Sequence, residues 1–411
     1  MPPGKRGPRR SATARGKSGA TESRKKVQQH SAGKSEVERP VRASADQLIL
    51  NHADQILPGT AMLVLLNGTA LAVPLTHARP EVSWKLFTWE HFYLTSVVNA
   101  LNQDTEGTAQ IELFCTPDLP EGLVDTAVVA TDSKGSSELT RDLLQAVSHH
   151  LKPGGRLIVS TNNPRDHWLH QHLKDTYGRT TVLKGNKGIC YVARRRESLV
   201  REKSFQCEFA FRDGERLIRV TSRPGVFSHR RVDAGARALI RSLDLLSSPA
   251  AVSSGESESP VAVRRPKWKS FQPRKIIDMG CGCGSASAAT ALRYPDAVVL
   301  AVDSHARAVQ STEQTAALND VRNVSVRLTS DGSVPDPGTW DLFICNPPYY
   351  SDFRISELFL DSAFEALRRG GRIHLVTKLT DGHFTRMEEV FCNATVHRYG
   401  DYDVIVSMKN V

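Results

Sequence analysis

At 411 residues, 40% hydrophobic and 24% charged, the chain has room for two cores of ordinary size, and two domains are expected. Its longest apolar stretches, such as Ala61 to Val73, are broken by Gly and Asn and fall short of the roughly 18 residues a membrane span needs, so no membrane partner is expected. The N-terminus has no apolar signal core. The seven cysteines (Cys115, Cys190, Cys207, Cys281, Cys283, Cys345, Cys392) are scattered and form no C-x-x-C pair, which fits a reduced, cytoplasmic compartment and a protein without a metal site.

The net charge of +10 is unevenly placed. Residues 1–47 hold twelve Lys/Arg against four Asp/Glu, with almost no large apolar side chain. Such an arm cannot bury enough surface to repay its ordering entropy and is expected to be disordered. A Ser/Pro-rich basic insert, residues 247–274, is expected to be flexible as well; Ser247 to Lys275 carry six basic against two acidic residues. The two segments hold +8 and +4, which leaves the rest of the chain at −2. Flexible positive segments attract polyphosphate by counterion release without reading sequence, which points to a nucleic-acid partner.

Taken in chain order after the arm, "WKLFTWEHFYL" (Trp84 to Leu94) spaces its aromatics for one helical face in a core or interdomain packing role. Val124 to Asn163 reads as strand, polar exit, helix, then Gly-Gly-Arg into another strand, and Thr180 to Arg195 closes with two strands. His149 and His150 read as surface residues, and Ala193 to Lys203 as a solvated connection. From Lys275 the pattern sharpens. "KIIDMG" is a strand ending at glycine, Ser285 to Pro295 a helix, and Ala297 to Asp303 a second strand. A second helix runs from Ser304, which is placed to cap it, followed by a strand at Asn323 to Asp331 and a fourth at Trp340 to Asn346. An amphipathic helix, Arg354 to Gly371, is closed by glycine and leads to a fifth strand, Arg372 to Lys378. Alternating strands and helices mean a parallel sheet covered on both faces, with ligands bound outside the carboxyl ends of the strands.

The unusual residues lie at those ends. "DMGCGCGS" (Asp278 to Ser285) places Gly280, Gly282 and Gly284 between strand and helix, where the backbone turns tightly and a ligand can approach. A dinucleotide fingerprint would need glycine at position 285. The D-x-G-x-G-x-G found instead is the loop of S-adenosylmethionine enzymes, which hold a cationic methionine portion and a nucleoside. Asp303 ends the second strand and is placed to accept hydrogen bonds from two ribose hydroxyls; Asp331 ends the third and could receive the adenine amino group. Cys281 and Cys283 read as small loop residues rather than metal ligands. The fourth strand exits through "NPPY", Asn346, Pro347, Pro348 and Tyr349. A conjugated amine is a poor nucleophile because its lone pair is delocalised, so it needs alignment. The Asn346 oxygen and the Pro347 carbonyl can each accept one N–H, the prolines fix the backbone, and Tyr349 offers a face for a base to stack on. Phe353 and Arg354, just beyond, could touch substrate or pack at the helix start.

Three features together resemble the N-amino methyltransferases with an NPP[YF] motif, and more closely the bacterial RsmC-type ribosomal RNA guanine-N2 methyltransferases. The first is "DMGCGCG" followed by "CNPPYY". The second is Ser222 to Leu243, similar to that family's stretch upstream of the cofactor loop, where an aromatic such as Phe227 lies over the cofactor pocket. The third is a duplication: Val124 to Asn163 repeats the plan of Trp340 to Lys378, but with "ATDSKG" in place of "CNPPYY" and no glycine-rich acidic loop. The resemblance covers residues 48–411. It implies two tandem Rossmann-like α/β domains with seven-stranded, mostly parallel sheets: a degenerate copy at 48–200, a connecting segment at 201–246 that contributes to the cofactor pocket, the insert at 247–274, and a catalytic copy at 275–411. It also implies a monomer that uses S-adenosylmethionine, with Ser304 beside the acids among the cofactor-binding residues, acting on ribosomal RNA or the small ribosomal subunit. Guanine over adenine follows only from the resemblance. The NPPY chemistry alone equally suits adenine-N6 or protein glutamine-N5 methylation, and a non-catalytic RNA-binding assembly factor is the reading from a different class.

Overall fold

The computed structural model describes residues 44–195, 202–247, 270–348 and 353–411. Nearly all of the basic arm, the insert from 248 to 269, the middle of the Ala193 to Lys203 connection and Tyr349 lie outside the described residues. Among the described residues no helix is long and apolar enough to cross a membrane.

The first half contains strands β1 (Thr60–Val64), β2 (Ser83–Thr88), β3 (Ile111–Cys115), β4 (Val124–Thr131), β5 (Leu151–Thr161), β6 (Thr180–Gly185) and β7 (Gly188–Arg194). Its helices are α1 (Ser44–Asn51), α2 (Ala72–Ala78), α3 (His91–Gln103), α4 (Ser137–His150) and α5 (Trp168–Tyr177). A hairpin, β8 (Cys207–Asp213) and β9 (Arg216–Ser222), and helices α6 (Ala234–Ser242) and α7 (Asp244–Ser247) lead to the second half. There follow β10 (Lys275–Met279), α8 (Ser285–Arg293), β11 (Val298–Asp303), α9 (Ala306–Leu318), β12 (Val324–Leu328) and β13 (Trp340–Cys345). The chain closes with α10 (Arg354–Ala366), β14 (Leu367–Thr377), α11 (Thr380–Phe391), β15 (Thr395–Tyr399) and β16 (Tyr402–Met408).

Both halves form a seven-stranded sheet of one topology, β3-β2-β1-β4-β5-β7-β6 and β12-β11-β10-β13-β14-β16-β15. In each, only β7 or β16 runs antiparallel to its neighbours. This is the tandem α/β architecture the sequence implies. Each sheet is buried on both faces, so its central strands are near-continuous apolar runs; β13 is buried along its whole length. Asp341, the polar member of that strand, accepts from the Arg274 and Lys275 backbone at 2.7 and 2.9 Å and from Arg368 Nε at 2.6 Å, so its charge is satisfied.

Two local expectations are corrected. Trp84 to Leu94 is not one helix: Trp84 and Leu86 enter the core on one face of β2, Phe87 and Trp89 on the other, and α3 begins only at His91. The pattern alternates instead of following a helical period; Trp84, Phe87 and Trp89 are core residues as expected, while Phe92 is exposed. The repeated Gly-Gly-Arg does not close a helix. It lies inside β5 and β14, where the register shifts, and a Cβ on Gly155 or Gly371 would stand 2.8 or 2.9 Å from a carbonyl oxygen of the preceding turn.

Candidate active site

The acidic glycine loop sits at the tip of β10. Gly280 and Cys281 donate to Val302 O at 2.8 and 3.0 Å, which ties the loop to β11. Gly284 is left-handed, φ 76°, and a Cβ there would lie 2.8 Å from Thr312 Cα, so α8 and α9 close against it only because no side chain is present. Gly282 is also left-handed, φ 57°, but a Cβ would meet nothing within 4 Å: the loop faces open space there. A cavity is lined by Phe227, Asp233, Asp278, Gly280, Gly282 and Asn346, among others. Phe227 is 68% exposed at its edge. Asp278 is buried and accepts the Ser287 hydroxyl; burial, with the Asp303 charge adding to it, pushes its carboxyl up to about 7. A site that holds a carboxyl in this state gains from a cation, and the donor set fits a sulfonium ligand with an ammonium group. Cys281 and Cys283 are buried in the loop, with Cys281 Sγ accepting from Thr312 Oγ1 at 3.2 Å.

Asn346 follows β13 directly. Its Nδ2 donates to Asp233 Oδ2 at 3.1 Å, and that same oxygen accepts from Ala236 N at 3.0 Å as the N-cap of α6. The helix forms because a capping acid precedes an apolar stripe, Ala236, Leu239, Ile240 and Leu243, all buried. Its second residue is Gly235, where a Cβ would stand 2.7 Å from Asp233 Oδ2 and 3.3 Å from Asn346 Nδ2. Glycine here gives the acid and the amide room to meet. With its N–H pair turned to Asp233, the Asn346 amide presents its oxygen as an acceptor. Pro347 is buried and Pro348 half-buried. Phe353 caps α10 at φ 66° and packs its ring 4.8 Å from His383, a helix-start packing role.

Asp303 ends β11 with Oδ1 accepting from His305 N and Oδ2 from Gly282 N, both at 2.9 Å, and the Ser304 main chain adding to them, which leaves part of its acceptor capacity for a ligand. Burial holds its carboxyl above the usual range. Ser304 does not cap α9; the N-cap is His305, and Ser304 Oγ donates instead to Glu90 Oε2 at 3.0 Å, a partner from the first half. Asp331 lies in a turn beyond β12, where the Thr329 hydroxyl and Ser333 hold its carboxyl down to about 2. The loop thus gathers Asp278, Gly280, Gly282, Asn346 and Phe227 around one cavity, with Asp303 bonded to its edge, while Ser304 and Asp331 stand farther along the strand tips.

The family described as "Methyltransferase small domain" matches residues 265–406. The ribosomal RNA small subunit methyltransferase C of Pseudomonas putida is 31% identical over 271 residues, 63% of this chain and 71% of the relative. The chain belongs to the ribosomal RNA small subunit methyltransferase C family. The Shewanella piezotolerans member of the family is 24% identical over 376 residues, 88% of this chain and 98% of that one. In fold the chain is similar to the T. thermophilus 16S rRNA guanine-N2 methyltransferase RsmC, solved in complex with AdoMet and guanosine, with a TM-score of 0.69, 19% identity and coverage of 90% of this chain and 93% of that one. Within this methyltransferase family frame, sequence reasoning missed Asp233, Gly235 and Glu90. The signal for the first two was present: an acid three residues before Ala236 marks a helix start, and glycine just inside a helix is unfavourable unless something packs against it.

Proposed function

We propose that this chain is an S-adenosylmethionine-dependent methyltransferase that modifies an exocyclic amine of ribosomal RNA, N2 of a guanine in the small-subunit RNA. The observation that carries the reading is the Asn346–Asp233 bond, which fixes an amide at the strand tip whose oxygen has no hydrogen-bond partner among the described residues. Asp278 and the open backbone at Gly282 suit the cationic methionine end, Asp303 suits the ribose diol, Ser304 and Asp331 the base beyond it, and Phe227 the mouth of the cavity. When bound, S-adenosylmethionine supplies an electrophilic methyl group on a positively charged sulfur. The chain's own work is alignment: the Asn346 oxygen and the Pro347 carbonyl each accept one N–H, turning the nitrogen lone pair toward the methyl group, and the prolines hold both acceptors at little entropic cost. The methylated nitrogen sheds its proton to solvent, so no strong base is required.

Membership of the family supports ribosomal RNA of the small subunit as substrate, and guanine is the base that the family implies. The positive charge of residues 1–47 and of the insert is proposed to contact phosphate. Mass mapping of modified nucleosides in ribosomal RNA from cells with and without the gene tests this, with loss of one N2-methylguanosine expected. Loss of N6-methyladenosine, or of no nucleoside at all, would replace it. In vitro, Asn346→Ala should abolish transfer while S-adenosylmethionine affinity stays within a few-fold.

A further inference from the structure

The first half reaches the nucleoside end of this site. Beyond β2, Trp89 to His91 runs antiparallel to Ser304 to Ala306: His91 N donates to Ser304 O at 2.8 Å and Ala306 N to Trp89 O at 2.7 Å, and Glu90 is bridged to His305. The junction is held firmly. Trp89 stacks on His305 with centroids 6.3 Å apart and planes at 16°, and Arg307 lies 4.2 Å over the Trp89 ring. Arg307 also donates to Pro117 O at 3.0 Å and Pro224 O at 2.8 Å, and pairs with Asp142 at 2.7 Å. The Glu90 backbone is therefore fixed against the tip of β11. Its Oε2 accepts the Ser304 hydroxyl, and its Oε1 has no hydrogen-bond partner among the described residues. The bond to Ser304 and the bridge to His305 hold Glu90 against the residues that directly follow Asp303, and burial, followed by the charge of Asp303, pushes the Glu90 carboxyl up to about 7. Both carboxyl groups keep acceptor capacity, and they come from different halves of the chain.

We propose that Glu90 is a cofactor-positioning residue lent by the first half, which with Asp303 accepts the hydroxyl groups of the cofactor's ribose. The inference rests on the reading of Asp303 as the ribose acid given above. It gives the first half a direct part in binding the methyl donor, at the Asp303 side of a cavity whose lining residues all lie between 227 and 346.

The test uses the full-length chain and S-adenosylhomocysteine, with or without both ribose hydroxyls, by calorimetry. Hydrogen bonds to charged groups are each worth about 10- to 150-fold in affinity. In the native chain, removing the hydroxyls should weaken binding about 100-fold or more; in Glu90→Ala that penalty should shrink to about tenfold, with Asp303 as the remaining acceptor. A merely structural role would lower affinity for both ligands equally and leave the ratio unchanged, which overturns the proposal. Glu90→Gln preserves shape and the bond to Ser304, and its ratio should fall between the two; it carries the test if the alanine variant does not fold. Tight binding of S-adenosylhomocysteine with an unchanged ratio overturns this inference alone. No binding by the native chain overturns the functional reading and this inference together.

Discussion

Asp233→Ser separates two jobs held by one oxygen. Asp233 Oδ2 caps α6 through Ala236 N at 3.0 Å and holds the Asn346 amide at 3.1 Å. Serine caps helices about as well as aspartate, so the cap's share of stability should change by no more than a few tenths of a kcal/mol, and any larger loss reports the bond to Asn346. Its side chain is one atom shorter and uncharged, and it cannot cap the helix and reach the amide at once. A hydrogen bond to a charged group contributes about 1.5–3 kcal/mol. If that bond acts by holding the Asn346 oxygen toward the reacting amine, its loss appears in the transition state, and about 10- to 150-fold in kcat disappears at tenfold per 1.36 kcal/mol. The assay is methyl transfer from labelled S-adenosylmethionine to ribosomal RNA, with calorimetry for cofactor affinity and urea unfolding for stability. Cofactor affinity should stay within a few-fold. Asp233→Ala should show the same rate loss plus about 1 kcal/mol of lost stability from the missing cap. A serine variant with a native fold and kcat within twofold of the native chain would reduce Asp233 to a helix cap and remove the reason given for the orientation of Asn346.

Gly235→Ala should lower kcat by about tenfold or more while leaving the unfolding midpoint near its native value, because alanine gains up to about 1 kcal/mol of helix propensity while its Cβ crowds Asp233 and Asn346; unchanged turnover would show that the pair tolerates displacement. Asp278, raised to about 7 by burial, is mostly protonated at pH 6 in the free protein, and a bound cation favours its charged form. S-adenosylmethionine affinity should therefore rise about tenfold between pH 6 and 8, while the same shift makes the empty protein lose stability as pH climbs from about 4 through 7; Asp278→Asn should flatten both curves, and a steep curve surviving in that variant assigns the titration elsewhere. Arg307→Met strands Asp142 in a half-buried junction and should cost about 3–5 kcal/mol in urea unfolding, with part recovered when Asp142→Asn is added; a loss under 1 kcal/mol would mean that the junction holds without the ion pair.

The strand and helix order of the second half was legible because buried parallel strands read as short apolar runs and the helices between them carry a clear period. The acids and the NPPY motif stood out because they fall at strand tips, the place where open α/β sheets bind ligands. What was missed depends on contacts between distant parts of the chain. Asp233 meets Asn346 across 113 residues, and Glu90 meets Ser304 across 214. Ser304 was read as a helix cap because serine before a helix usually is one; its hydroxyl is instead committed to Glu90, and His305 takes the capping position without a side-chain bond. Local propensity has no knowledge of a partner that arrives from the other sheet.

The proposed site residues fall at the strand tips of one of two sheets that correspond strand for strand. Strand registers pair Val64 with Phe87 and Val129, and Met279 with Val302 and Cys345, which makes Leu63 the counterpart of Asp278, Thr88 of Asp303 and Ala130 of Asn346. Thr88 still makes the turn: its Oγ1 accepts from Glu90 N at 3.0 Å, as Asp303 Oδ1 accepts from His305 N at 2.9 Å. The turn geometry is the same without the charge: none of the counterpart positions Leu63, Thr88 and Ala130 carries a carboxylate or an amide. The same correspondence makes the junction self-complementary. Glu90 and His305 are the helix N-caps of the two copies and bridge each other, and the bonds on either side, His91 to Ser304 and Ala306 to Trp89, exchange under the same correspondence. That is the pattern of an isologous contact between two copies of one unit, held here within a single chain. The two sides of that contact differ in charge: on one side the Glu90 carboxyl accepts from Ser304, the residue that follows Asp303, and on the other stands the imidazole of His305.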